Sequence, residues 1–595
     1  MTGKPPANNS TGTGGPTPSG HIETPSASHS SVLPGWAGKL WRYRAWLVVG
    51  LVLFFSLAIR VRLRDLPLER DEGEYAYAGQ LILGGVPPYR LAYNMKFPGT
   101  YVAYAMIMAV FGQTPSGIHI GLALVSAASI LLMFLLSRKW LDEVGAVTAT
   151  GVFALMTLNY TFLGLAAHAT HFVVLAALGG LLLSLREVNR GKLSLIFAAG
   201  FLFGLGILMK QHGVLFGVFA GLYLGWTRLA WDGAPKAPAT KSRWNPSRRD
   251  QRRLDWKSCS REVALFAAGM ALPYLLTCLW LWKAGVFGDF VFWTVSYASK
   301  YVSSVPMSEA PANLRIGVGG VFGGNPFLWI LAGVGALIMW WDSRLSTARI
   351  LITGLALFSI GAISAGFYFR HHYFILLLPA LGMLSGAAVS RGVYLLRKDR
   401  SIELLLSVPI LLLLAVGTGA AFVLCSPVWF APTPAGASQR IYGTTLFSEA
   451  VSAAKYIAAN SPPAATIGVL GSEPEIYFLA RRRSATGYIY MYPLMESHGY
   501  ALNMQEQLIH DLESKQPEYI VFVSDNLSWL TRPNSRRKVL DWWENYWTAH
   551  YEMVRSQNVV TEIPDELQNL SDTPRDEQPA PTRSTLLIFK RKSGA

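Results

Sequence analysis

Apolar blocks recur along the first 430 residues and limit the fold more than any other feature of the sequence. They are about 17 to 25 residues long, the length of helix that crosses roughly 30 Å of hydrocarbon. One such block could be a buried core helix, but about ten of them in one chain indicate a membrane. The sequence therefore predicts a polytopic α-helical membrane protein with about eleven transmembrane helices. The predicted spans are 45–64, 116–137, 143–162, 166–185, 193–210, 212–229, 263–282, 326–341, 348–368, 372–390 and 402–425.

Composition and charge support a membrane protein and argue against nucleic-acid binding. Of the 595 residues, 51% are hydrophobic and 15% are charged, whereas soluble proteins carry about 25% charged residues. The net charge is +16, but the basic residues cluster in short loops between apolar blocks instead of forming one face. Cytoplasmic loops of membrane proteins have this distribution. The three cysteines have neither paired nor metal-ligand spacing, so we expect no disulfide framework and no zinc site.

The basic loops also predict the orientation of the chain in a plasma (inner) membrane. Residues 1–37, rich in Gly, Pro, Ser and Thr, should form a disordered cytoplasmic tail. Residues 38–430 should form the transmembrane domain, with the basic loop 230–262 in the cytoplasm. The first outer loop, 65–115, should carry interfacial helices, including one over 97–112. Three arginines at the outer end of the first span run against the positive-inside bias: Arg60, Arg62 and Arg64.

After residue 430 the composition changes to that of a soluble domain. Residues 431–595 are predicted to form an extracytoplasmic α/β domain. The segment 446–459 has helical periodicity, and the proline-containing segment 562–582 should be a loop. The predicted strands are 465–470, 518–524 and 584–592.

A group of carboxylates opens the first outer loop. Asp71 and Glu72 follow the first span, and Glu74 and Tyr75 come close behind. The segment EGEYAYAGQLIL has helical spacing, so a short helix should lie along the membrane surface. Asp71 could simply cap that helix. It could also act as the general base for an acceptor hydroxyl, because that role needs a fixed carboxylate at the edge of a pocket.

Three cations lie on the same predicted outer side. Lys96 lies within the first outer loop, Lys210 ends one span, and Arg370 ends another with His371 and Tyr373 behind it. Each cation alone could anchor the chain at the headgroup level. Charges this near to hydrocarbon are costly, and they often mark a functional site. Their coincidence beside carboxylates favours binding of an anionic lipid headgroup through its phosphate.

Two histidines in the segment AAHATH raise the question of a metal. His168 and His171 are three positions apart (i, i+3), a spacing that could hold a divalent cation. No carboxylate lies near them in the sequence, so packing or a hydrogen bond to substrate is the favoured role. A divalent metal remains an open alternative.

Four segments together resemble one family of membrane enzymes. They are DEGEYAYAGQLILGGVPPY, YNMKFPGTY, GLGILMKQHG and YFRHHYFILLLPALGML. The chain resembles the GT-C superfamily of integral-membrane glycosyltransferases. It is most similar to the bacterial family-39-like group related to protein O-mannosyltransferases and the lipid A aminoarabinose transferase. The resemblance covers roughly 40–400.

The resemblance implies transfer of a sugar from a polyprenyl-phosphate donor to a lipid, glycan or protein acceptor, with inversion, at the outer face of the cell membrane. Asp71 matches the catalytic aspartate of the family, and Lys96 matches the lysine that binds the donor phosphate. The predicted catalytic residues are Asp71 and Glu72, and the predicted substrate-binding residues are Glu74, Tyr75, Lys96, Lys210, Arg370, His371 and Tyr373.

Two other functions stay open. An oligosaccharide polymerase or ligase that uses a lipid diphosphate donor would also need cations at the outer face. A transporter or flippase would be expected to show an internal repeat and ionisable residues near mid-span. The ionisable residues of the predicted spans lie at their ends, so the transporter is the weaker alternative.

Overall fold

The computed structural model describes residues 35–190, 192–231, 256–303, 305–398, 401–561 and 584–593. The chain divides into two compact units, Met1–Arg44 and Ala45–Ala595. The described part of the first unit is the beginning of one helix, and everything below concerns the second unit. Most of the predicted tail 1–37 and of the predicted cytoplasmic loop 230–262 lies outside the described residues.

Among the described residues up to 430, all regular structure is helical. Every predicted span overlaps one helix, and the helical ends differ from the predicted ends by several residues. The helices are α1 (Gly35–Arg62), α2 (Arg70–Leu83), α3 (Gly99–Phe111), α4 (Pro115–Ser137), α5 (Glu143–Thr157), α6 (Ala169–Arg190), α7 (Leu193–Met209), α8 (Val214–Trp231), α9 (Trp256–Lys283), α10 (Phe287–Val291), α11 (Ala298–Val302), α12 (Ala310–Gly323), α13 (Pro326–Trp341), α14 (Ser346–Ser364), α15 (Leu378–Leu396) and α16 (Ser401–Trp429).

The helices confirm a multi-pass membrane protein. Within the described residues, six helices are long and apolar enough to cross a membrane alone. The helices α12 and α13 are bent by 104° at a short break and count as a seventh span if they cross together. Four further apolar helices are shorter: α3, α5, the part of α6 that ends at Leu185, and α7. The total of eleven spans stays a prediction.

Two of the three arginines that run against the charge bias, Arg60 and Arg62, donate to backbone carbonyls. Arg60 is 3% exposed and donates to the carbonyls of Thr157 and Gly164, at 3.0 and 3.1 Å. Arg62 donates to the carbonyl of Trp429, the last residue of α16. Exposed carbonyls at helix ends need donors, and arginine has five. Arg60 and Arg62 therefore join the end of α1 to the ends of other helices, which explains their place there.

Helix α2 is largely enclosed by the rest of the protein, and its position along the membrane surface stays a prediction. Nine of its fourteen residues are buried. It packs against α3 on one side and against the C-terminal domain on the other. At Gly73 a Cβ atom would lie 2.6 Å from the backbone nitrogen of Glu475, so only glycine permits this close approach. The 13-residue helix α3 does expose large apolar side chains, including Met106 (66%) and Val110 (74%).

The C-terminal domain is a small α/β domain, as predicted. Its sheet has the order β2-β1-β3-β5-β4: β1 pairs in parallel with β2 and β3, whereas β5 pairs antiparallel with β3 and β4. The sequence did not indicate β2 or β4, because β2 has two residues and β4 is a polar edge strand. The predicted loop 562–582 lies outside the described residues. The elements are α17 (Pro434–Tyr442), α18 (Leu446–Asn460), β1 (Thr466–Leu470), α19 (Glu475–Ala480), β2 (Arg483–Ser484), α20 (Tyr492–Met495), α21 (Ala501–Lys515), β3 (Tyr519–Ser524), α22 (Asn526–Trp529), α23 (Lys538–His550), β4 (Tyr551–Val559) and β5 (Ser584–Arg591).

Candidate active site

A pocket of about 360 Å³ brings most of the predicted site residues together. Its walls come from segments that are far apart in the sequence. They are the first turn of α2 (69–71), the loop before α3 (94–96), the residues Leu163, His168 and Lys210, the segment 297–301 at α11 (Tyr297, Tyr301), the segment 370–373 that leads into α15, and the segment 490–496 of the C-terminal domain.

Asp71 is held in this pocket by the way in which α2 begins. The N-cap of α2 is Glu69, whose side chain accepts a hydrogen bond from the backbone of Glu72 at 3.0 Å. Glu72 reaches back to the backbone of Glu69 and completes a capping box. Asp71 therefore does not cap the helix, and its carboxylate is available to the pocket. The purely structural alternative considered for Asp71 is wrong.

The ammonium group of Lys96 lies between the carboxylates of Asp71 and Glu74. Its Nζ lies 2.7 Å from Asp71 Oδ1 and 2.6 Å from Glu74 Oε2, and 4.6 Å from the centre of the Tyr75 ring. Burial favours a neutral lysine, but the charges of Asp71 and Glu74 outweigh it and raise the pKa of Lys96. Burial likewise opposes ionisation of Asp71, yet the charge of Lys96 holds the pKa of Asp71 below its ordinary value. The pair is therefore ionised at neutral pH.

Glu72, Glu74 and Tyr75 lie behind the wall of the pocket. Glu72 is 1% exposed and contacts His119 Nε2 at 3.0 Å and the backbone nitrogen of Ala167 at 2.6 Å. Glu74 is fully buried and accepts hydrogen bonds from Lys96 and Tyr101. These contacts fix the position of α2 and of Lys96. The structure therefore places these three predicted residues in support of the pocket, and Asp71 and Lys96 at its surface.

The other two predicted cations also line the pocket. Lys210 follows the last residue of α7, and its Nζ lies 3.9 Å from the centre of the Tyr373 ring and 3.5 Å from His372 Nε2. Arg370 lies 5.6 Å from the centre of the Tyr368 ring and has no ion-pair partner within the described residues. Lys96 and Lys210 are partly buried and Arg370 is exposed. A pocket lined by three cations is suited to an anion such as a phosphate.

Two histidines face Asp71, although not the two that the sequence pattern paired. His168 Nδ1 and His372 Nε2 lie 3.7 and 3.9 Å from Asp71 Oδ2, and the two rings stack with centroids 4.2 Å apart. His171 does not line the pocket. One ligand atom from each of Asp71, His168 and His372 can be chosen so that all three lie within 4.8 Å of one another. A carboxylate and two imidazoles fit a divalent cation.

The C-terminal domain forms one wall of the pocket, which the sequence analysis did not predict. Tyr490 donates to Asp71 Oδ1 at 3.4 Å, and Tyr492 and Glu496 lie beside it. Across the pocket, Tyr297 donates to Glu496 Oε2 at 2.8 Å, which joins the segment before α11 to the domain. Burial raises the pKa of Glu496 to about 6. The feature of the sequence that could have indicated this wall is the tyrosine-rich segment YIYMYPLME (488–496).

An apolar groove begins beside the charged pocket. It has a volume of about 370 Å³ and lies between α3, α7 and α9. Pro98 and Gly99 line the groove and follow Lys96 closely in the chain, while Met209 lines it directly before Lys210. The Thr100 hydroxyl donates to the carbonyl of Met209 at 2.8 Å, so the two cation-bearing segments are joined at the groove. A ligand with a charged head and an apolar chain fits this arrangement.

Comparison with known proteins agrees with these features. Residues 96–235 match the family model described as dolichyl-phosphate-mannose-protein mannosyltransferase. The structure is similar to that of ArnT from Cupriavidus metallidurans bound to undecaprenyl phosphate, with a TM-score of 0.51 and 16% sequence identity. That match covers 92% of this chain and 98% of the ArnT chain. The protein has the GT-C fold.

A second solved GT-C structure aligns over almost the whole chain. The apo oligosaccharyltransferase from Archaeoglobus fulgidus matches with a TM-score of 0.53 and 13% identity over 94% of this chain and 89% of that chain. The same archaeal protein, AglB, in complex with an inhibitory peptide and a dolichol-phosphate gives a TM-score of 0.52, with the same identity and coverage. No curated protein sequence matches the chain. The predicted resemblance to the GT-C superfamily and the predicted fold class are confirmed.

Proposed function

We propose that the protein is a glycosyltransferase that moves one sugar from a polyprenyl-phosphate donor to an acceptor hydroxyl. The observation that carries this proposal is a carboxylate, Asp71, in one pocket with three cations beside an apolar groove. The solved ArnT and AglB structures, which hold undecaprenyl phosphate and dolichol-phosphate, support a donor of this class. The reaction takes place on the side of the membrane that carries the C-terminal domain, which the loop charges predict to be the outer side.

The three cations bind the donor phosphate. The polyprenyl chain lies in the groove between α3, α7 and α9, and its phosphate reaches Lys96 and Lys210 at the end of that groove. Arg370 contacts the phosphate from the segment before α15. The departing phosphate gains negative charge in the transition state, so preorganised cations at that point lower the barrier.

Asp71 accepts the proton of the acceptor hydroxyl. The hydroxyl oxygen forms a bond to the anomeric carbon, the bond from that carbon to the phosphate oxygen breaks, and polyprenyl phosphate leaves. A single displacement of this kind inverts the anomeric carbon. Without donor, Lys96 weakens Asp71 as a base, because the ion pair at 2.7 Å stabilises the carboxylate. A donor phosphate attracts Lys96 away from Asp71, so the base becomes stronger when the donor is bound.

His168 and His372 would hold a divalent cation together with Asp71, if the enzyme uses one. Such an ion would supply a positive charge for the donor phosphate or the acceptor oxygen. The two imidazoles also restrict the position of the Asp71 carboxylate, since both lie within 4 Å of its Oδ2. That positioning role does not depend on a metal.

An oligosaccharide ligase or polymerase is the second candidate. The likeness to the fold of the archaeal oligosaccharyltransferase favours it. The size of the pocket favours a monosaccharide, because about 360 Å³ is near the lower end of the range for small-molecule sites.

The decisive experiment compares the lipid-linked sugars and envelope glycans of a deletion strain with those of the parent strain by mass spectrometry. We expect one polyprenyl-phosphate monosaccharide to accumulate and one glycan to lose a sugar. Wild-type protein and Asp65→Asn, an exposed aspartate outside the pocket, should restore the glycan, whereas Asp71→Asn should not. Unchanged lipids and glycans in the deletion strain would contradict the proposal.

A further inference from the structure

A second polar cavity lies at the far end of α2. It has a volume of about 660 Å³ and shares no lining residue with the active-site pocket. Gln80 lines this cavity, and the helical rise along α2 from Asp71 to Gln80 is roughly 14 Å. The other side of this cavity is formed by the C-terminal domain, at the turn between α19 and β2. The proposed transfer reaction uses none of these residues.

Two arginines in this cavity are held in place without a counterion. Arg481 directly follows α19 in the left-handed conformation (φ 53°), and Arg483 lies in strand β2, paired with Thr466. Both are exposed, and neither guanidinium group has an ion-pair or hydrogen-bond partner within the described part of the chain. Arg482 between them is buried and donates to Ser461, Ala458 and Ala480. That anchor fixes the backbone from which the two exposed guanidinium groups project.

The remaining polar groups at the cavity are neutral. Gln80 Nε2 donates to Gln113 Oε1 at 3.1 Å, and no acidic side chain lines the cavity among the described residues. Two unpaired cations and two amides without a carboxylate form a site for an anion, and arginine suits a phosphate because its donors match two oxygens at once.

The surroundings place this cavity at the edge of the hydrocarbon. Gln113 follows the C-cap of α3, Gly112, and Met106 and Val110 of this helix are 66% and 74% exposed. On the other rim, Leu83 at the end of α2 is 41% exposed. Apolar side chains exposed to this extent on adjoining helices indicate a lipid environment. The arginines therefore lie at the level where a membrane lipid carries its phosphate.

We propose that this cavity binds the phosphate of an anionic glycerophospholipid through Arg481 and Arg483. The lipid joins the C-terminal domain to the membrane at a point separate from the donor site. Because α2 forms one wall of the cavity and carries Asp71 at its other end, the bound lipid also holds the catalytic helix at a constant depth. This site does not depend on the proposed transfer reaction.

The test measures lipid retention by the full-length protein in detergent, using native mass spectrometry. Phosphatidylglycerol and phosphatidylcholine with the same acyl chains are titrated into wild type, the double variant Arg481→Gln/Arg483→Gln, and the control Arg536→Gln/Arg537→Gln. The control removes the same charge from an exposed segment of the same domain. We expect wild type and control to prefer phosphatidylglycerol, and the double variant to bind it about 30-fold more weakly, the loss expected for two interfacial arginines.

Equal retention of phosphatidylglycerol by wild type and the double variant would overturn the proposal, as would equal binding of the two lipids by wild type. Displacement of phosphatidylglycerol by millimolar inorganic phosphate would also overturn it, because the ligand would then be a soluble anion. If the double variant does not fold, Arg483→Gln alone and the thermal shift of wild type with each lipid provide the same comparison. Asp71→Asn should retain phosphatidylglycerol normally, which separates this site from the active site.

Discussion

Replacing Asp71 by asparagine should lower catalysis and strengthen donor binding at the same time. Asparagine keeps the volume of the side chain, and the cap of α2 is Glu69, so the helix should form normally. General-base catalysis typically contributes about 10²–10⁴-fold, so transfer should fall by at least about 10². A residue that only stabilised the fold would not move the two quantities in opposite directions.

The gain in donor affinity follows from the ion pair that asparagine removes. At 2.7 Å, Coulomb's law gives about 6 kcal/mol for unit charges at an effective dielectric constant of about 20. Both side chains are about a quarter exposed, and desolvation opposes the pair, so a net value of about 1–3 kcal/mol is realistic. Donor phosphate competes with Asp71 for Lys96. Removing that competitor should therefore lower the donor Kd by about tenfold.

The assay measures polyprenyl-phosphate binding and single-turnover sugar transfer on purified protein in detergent. Glu74→Gln is the matched control, because Glu74 also contacts Lys96 but lies outside the pocket. It should strengthen donor binding to a similar extent and lower transfer much less. An Asp71→Asn protein that transfers sugar at the wild-type rate, or that binds donor more weakly, would refute this reasoning.

Three further predictions test the phosphate site, an ionisable group and the topology. Lys96→Ala should weaken polyprenyl-phosphate binding by about 10- to 100-fold, whereas unchanged affinity in a binding titration would return Lys96 to a role as a surface anchor. Burial raises the pKa of Glu496 to about 6, so the folded state loses roughly 2 kcal/mol of stability as the pH rises from about 4.5 through 6. Glu496→Gln, which can still accept from Tyr297, should therefore raise the melting temperature at pH 8 and not at pH 4; an equal shift at both would contradict this. A reporter fused after Cys425 should be active only outside the cytoplasm, and cytoplasmic activity would reverse the predicted orientation.

The sequence alone was sufficient to predict the features that depend only on residues close together in the chain. A transmembrane helix satisfies its backbone hydrogen bonds within its own segment. The apolar blocks therefore located the helices without knowledge of which helices pack against them. Strands β1, β3 and β5 were likewise visible as short apolar runs. The sequence also placed Asp71, Lys96, Lys210 and Arg370 on one predicted side of the membrane, and the structure brings these four residues into one pocket.

Only the tertiary structure decided which side chains meet. The cap of α2 proved to be Glu69, because the backbone of the first turn and not the sequence pattern determines which carboxylate points inwards. His168 pairs with His372, and Tyr490 reaches Asp71 across 419 residues of chain. These contacts depend on how the helices and the C-terminal domain pack together. Sequence periodicity specifies which face of each element is apolar, but not which element that face will contact.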